Sequence, residues 1–92
     1  MTAELDPDRL GARGQIYVTA RATTQYAEAR QLRTEEARRE LTEYLLDARI
    51  QHEGPPMQVR ARSHSTQVAI TAQVVREGRL LVVVSAHARD YL

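Results

Sequence analysis

The chain closes on RLLVVVSAHARDYL, residues 79–92, and within it Leu80 to Val84 are apolar without interruption. A strand with one wet face shows only every second side chain to the core, so this one carries hydrocarbon on both faces and needs cover on both. What supplies the second cover decides the architecture.

Glu77 and Gly78 precede that strand as a turn, with Gly at the position that needs a positive φ. Before the turn Val68, Ile70, Ala72 and Val74 alternate with Gln67, Ala69, Thr71, Gln73 and Val75. Before the SHST turn Met57, Val59 and Ala61 alternate with Gln58, Arg60 and Arg62. Period two predicts strands. Two-residue loops at His64-Ser65 and Glu77-Gly78 would pair Ala61 with Val68, Val59 with Ile70, Val74 with Leu81 and Ala72 with Val83. One face then gathers Met57, Val59, Ala61, Val68, Ile70, Ala72, Val74, Leu81 and Val83. The other carries Gln58, Arg60, Arg62, Gln67, Thr71 and Gln73 beside an apolar group, Val75, Leu80, Val82, Val84 and Ala86. The last strand is expected to span Arg79 to Ala86, with His87 on the helix-covered side.

Upstream, QIYVTA alternates Ile16, Val18 and Ala20 against Gln15, Tyr17 and Thr19, a half-buried strand. Thr23 to Gln51 is rich in Ala, Glu, Arg and Leu without Gly or Pro, and reads as helical. A break is expected at QLRT, where Thr34 caps a second helix and Glu35 and Glu36 meet its positive end. Ala37, Leu41, Tyr44, Leu45 and Ala48 form that helix's apolar stripe; Ala22, Tyr26 and Ala29 do so for the first. HEGPP ends the helical region. Residues 1–14 lack periodicity and read as a mobile leader, leaving 15–92 as a single domain. The expected fold is α+β: a four-stranded, mostly antiparallel sheet in the order β-α-α-β-β-β, with both helices on one face.

Two helices cover one face of such a sheet and hardly both. Cover for the outer face comes either from a second molecule or from the leader or final residues folding back. Monomers seldom leave a contiguous apolar patch of several hundred Å² in water, which favours the partner. The interface residues expected are Val75, Leu80, Val82, Val84 and Ala86, in a homodimer or with another protein.

Composition supports a folded domain: 92 residues, 42% apolar and 27% charged, with a net charge of +1. The absence of Cys removes disulfides and thiolate sites. No apolar run is long enough to cross a bilayer and no basic-then-apolar signal opens the chain, so the expectation is cytoplasmic, without membrane association. All 13 basic residues are Arg. A GC-rich genome accounts for that usage, and Arg is also the residue that forks onto phosphate and carboxylate.

Chemistry-bearing motifs are scarce. His52, His64 and His87 share no metal-ligand spacing, and no metal or cofactor is expected. No G-x-S-x-G, P-loop or G-x-G-x-x-G occurs, so no catalytic residue is assigned. Glu35, Glu36, Glu40, Glu43 and Asp47 read as a solvated helix face. Arg60 and Arg62 project from the uncovered face and, with Arg79 and Arg89, are candidates for binding phosphate or RNA; charges on an exposed strand also discourage stray sheet pairing.

The stretch VTARATTQYAEARQLRTEEARRELTEYLLDAR, residues 18–49, resembles the opening of small phage- and plasmid-borne proteins, through Val18, Thr19, Ala22, Tyr26, Glu28, Thr34, Glu35, Glu36, Ala37 and Leu41. The order strand, two helices, three strands is similar to that of RelE-type toxins. That resemblance implies ribosome-dependent mRNA cleavage by basic and aromatic residues on the open sheet face, with His87 or Tyr91 in proton transfer or base stacking. Arg21 stands where the pattern has His, and Gln25 and Ala29 stand where it has Arg, so the packing frame matches better than the polar residues. The leading expectation is therefore a non-enzymatic interaction module from a mobile element, with a RelE-like ribonuclease, or an inactive relative that binds RNA or the ribosome, as the alternative.

Overall fold

The computed structural model describes residues 8–63 and 67–90 of the chain. Strand β1 (Gln15–Val18) leads into helix α1 (Ala20–Arg30) and helix α2 (Thr34–Leu46). Strands β2 (Arg49–His52), β3 (Met57–Ser63), β4 (Val68–Glu77) and β5 (Leu80–Asp90) follow. They form one five-stranded sheet in the order β1-β5-β4-β3-β2, antiparallel except for the parallel β1–β5 pair. The expected α+β class and single helical layer hold, but the sheet has one strand more than expected. Arg49–His52, whose first three residues the composition assigns to the helix, forms edge strand β2 against β3.

Local chemistry sets the helix ends. The Thr19 hydroxyl accepts the Ala22 N–H and donates to the Val83 carbonyl at 2.8 Å, so one side chain caps α1 and ties it to β5. Gln31, in the left-handed region at φ 56, closes α1. Thr34 is the first residue of α2 and makes no cap; Arg33 holds the cap position without a side-chain bond. Ala22, Tyr26, Ala37, Leu41, Leu45 and Ala48 are buried, as their spacing predicts, whereas Ala29 is exposed.

The leader also departs from expectation. Leu10 is fully buried in a short 3-10 helix, Leu10–Ala12. Its N–H donates to the Ala48 carbonyl, and the Ile50 N–H donates to the Asp8 carbonyl. Arg13 pairs with Glu53 at 3.0 Å, and Arg76 donates to the Arg13 carbonyl. Residues 8–14 thus belong to the packed domain, on its core side rather than over the open face; residues 1–7 lie outside the described residues.

Both hairpin registers differ from expectation by two residues. The last two strands turn at Gly78 and Arg79, pairing Glu77 with Leu80 and Val74 with Val83. β3 and β4 pair Ala61 with Ile70 and close at Ser63 with Val68; the expected His64-Ser65 loop lies outside the described residues. A shift of two keeps every side chain on its face. A bulge does not. Val83 pairs with Val74 and Ser85 with Gln73, leaving Val84 as an extra residue in β5. Beyond it the alternation inverts: Ala86 joins Ala72 on the helix-covered side, 1% exposed, and His87 joins Thr71 on the open side. Gln25 in α1 accepts the Ala86 N–H at 2.9 Å, satisfying a backbone donor beside the interrupted ladder.

Candidate binding face of the sheet

α1 packs on β5, and α2 on β1 and β3, which leaves the opposite face of the sheet without a helix among the described residues. Cross-strand pairing orders that face into rows. At the β4–β5 turn Glu77 lies beside Leu80 and Gln15; next come Val75, Val82 and Tyr17. Then follow Gln58, Gln73 and Ser85, and after them Arg49, Arg60, Thr71 and His87. The last row is Arg62, Ala69 and Arg89. The face is apolar at one end and basic at the other.

The apolar end gathers three of the five expected interface residues, Val75, Leu80 and Val82. Val84, the bulged residue, is half-buried, and Ala86 faces the helices because the bulge reversed the alternation. Val82 is already covered by its strand neighbours, at 8% exposure. The open hydrocarbon lies instead in Leu80, 38% exposed, and in Tyr17, 56% exposed. Alternation alone puts Tyr17 on the polar side of its strand. Its alternation was legible, but its place beside Val82 depends on the parallel β1–β5 pairing, which no local pattern encodes.

At the basic end the structure brings Arg60, Arg62 and Arg89 onto one face, whereas Arg79 sits in the turn at the other end. Two hollows meet at Arg60. One, of about 280 Å³, is lined by Gln51, Gln58, Arg60, Thr71, Gln73 and His87 among others. The larger, of about 390 Å³, lies between the end of α2, β2 and β3, with Arg9, Tyr44, Asp47, Arg49, Arg60 and Arg62 in its lining. Arg9 donates to the Asp47 carbonyl at 2.6 Å, and the Ser63 hydroxyl donates to that of Tyr44. The Arg60 Nε is buried without a hydrogen-bond partner among the described residues. Arg9 and Arg49 were missed because they stand in segments read as leader and helix.

Other polar residues have structural roles. Tyr26, fully buried, donates to Glu40 at 3.0 Å, and Arg30 joins the same carboxylate oxygen at 3.2 Å. Burial pushes the Tyr26 phenol well above its usual range, and Glu40 adds to that. Glu40 therefore belongs to a bridge between the helices and not to the solvated face expected for it. Hydrogen bonding to Arg13 holds the Glu53 carboxyl below its usual range. His52 is exposed on β2; His64 and Tyr91 lie outside the described residues. Among the described residues no cluster of His, Asp and Glu could hold a metal ion, and no helix is long and apolar enough to cross a membrane.

Set against known proteins, the chain matches no family model, no curated protein and no solved structure.

Proposed function

We propose that the protein is a small interaction module that pairs with a second copy of itself through the apolar end of the open face. The observation that carries this reading is the exposure of Tyr17 and Leu80 on adjoining strands, above the nearly covered Val82. A two-fold contact uses one patch twice, so a self-complementary apolar patch needs no second surface. A standard interface takes about 800 Å² from each partner, roughly an eighth of the 6320 Å² this chain exposes. The arginines at the far end repel their counterparts and orient the two copies with their basic ends apart.

The test is light scattering on the purified chain at tens of micromolar, with Tyr17→Ser and Leu80→Ser combined as the variant. Both residues are exposed, so the substitutions spare the core. The expected result is a dimer for the parent chain and a folded monomer for the variant; a monomeric parent would remove the proposal. Val82→Glu is a poorer probe, because burying a carboxylate at a nearly covered position disturbs folding itself.

One observation favours a second reading, a RelE-like ribonuclease or RNA-binding relative. The bulge at Val84 sets His87 beside Thr71 and in one hollow with Arg60, where a proton carrier and a phosphate ligand would both be needed. On this reading induced expression arrests growth and His87→Ala, folded, relieves the arrest. Normal growth on induction counts against it.

A further inference from the structure

The larger hollow beside β3 carries an inference that does not rest on self-association. Four arginines, Arg9, Arg49, Arg60 and Arg62, line a cavity of about 390 Å³ in a chain whose net charge is only +1. Asp47 is the only acid among the described residues of that lining. The lining therefore carries more positive than negative charge.

Arg60 supplies the second observation. Its side chain borders both hollows, and its Nε has no hydrogen-bond partner among the described residues. Like charges directly opposite each other on neighbouring strands are destabilising, and an anion held between them offsets that cost. Guanidinium Nε–H and Nη–H groups form a planar fork that matches two oxygens of one anion. Arg49 is cross-strand to Arg60, and Arg62 stands two residues along the same strand on the same face, so all three side chains border one hollow. The Tyr44 ring and the end of α2 close its side wall. The volume falls in the range of small-ligand sites.

We propose that this cavity binds the phosphate group of a phosphorylated ligand, with Arg60 as the central fork and Arg49 and Arg62 flanking it. The same chemistry is offered by a free mononucleotide and by the backbone of single-stranded RNA, and the enclosed wall favours neither in advance.

Isothermal titration with three probes, inorganic pyrophosphate, adenosine monophosphate and an oligouridylate, tests the site at low salt. Saturable binding to at least one probe is expected, weakened about tenfold or more in Arg60→Gln, the loss of a charge-assisted fork. Binding confined to the two small probes identifies a small phosphorylated molecule; affinity that grows with oligonucleotide length identifies a nucleic-acid backbone. Arg60→Met guards against misfolding. It removes the orphaned donor and keeps the aliphatic stem, so the unliganded variant melts at or above the parent temperature while losing the ligand. Absence of saturable binding to all three probes in the millimolar range overturns the proposal, as does binding unchanged in both Arg60 variants.

Discussion

Tyr26 shows how one side chain couples the two helices to the pH range in which the domain is stable. Its ring is fully buried, and its hydroxyl reaches Glu40 on α2, which Arg30 of α1 also holds. Burial favours the neutral phenol, so the folded protein keeps this proton at pH values where the unfolded chain, at about pH 10, releases it. Above that point the native state binds more protons than the unfolded one, and stability falls as pH rises, by at most about 1.4 kcal/mol per pH unit. Below it the contribution is fully present. With no Lys and no Cys in the chain, tyrosines dominate titration in this window, which makes the effect readable. Urea unfolding between about pH 9 and pH 11 should show a falling midpoint, and Tyr26→Phe should flatten it, because the variant has nothing to ionise there. An equally steep fall in the variant would place the alkaline sensitivity elsewhere.

At the scale of elements the bulge in β5 matters most. Alternation alone placed β3 and β4 with their faces correct, since Met57, Val59 and Ala61, and Val68, Ile70, Ala72 and Val74, are buried as their period requires. It failed beyond Val84, because a period-two argument assumes one residue for one residue, and five consecutive apolar residues offer no polar marker of the slip. β2 was hidden for a different reason: RIQH has one apolar residue and follows directly on a helical composition. Leu10 was hidden because a lone apolar residue has no period. The bulge itself is held from the helix layer, where Gln25 accepts the Ala86 N–H. Gln25→Ala would leave that donor unsatisfied and should cost about 1–3 kcal/mol in chemical unfolding. Gln25→Glu keeps an acceptor and should recover most of the loss. Amide exchange at Ala86 gives the local readout, and protection unchanged in Gln25→Ala would mean that the ladder satisfies the bulge without the helix.

For the whole molecule, the open face separates its two proposed uses by distance as well as by chemistry. From Thr71, in the row of Arg60, to Val75, in the row of Tyr17, is four steps along β4, about 13 Å at roughly 3.3 Å per residue. That exceeds one Debye length at about 0.1 M salt, so charge at one end is largely screened from the other. The two ends should then answer salt in opposite directions. Contact through Tyr17 and Leu80 is apolar, and added salt screens what repulsion remains between the arginine-rich ends, so self-association should hold or strengthen between about 0.05 and 0.5 M sodium chloride. Phosphate binding by Arg49, Arg60 and Arg62 should weaken over the same range; for an oligonucleotide spanning three such contacts the log–log slope is about −2. Sedimentation and titration on one preparation measure both. Dissociation of the dimer by salt would place the self-contact among the arginines, with acids of the second copy opposite them, and the apolar end would then need another occupant.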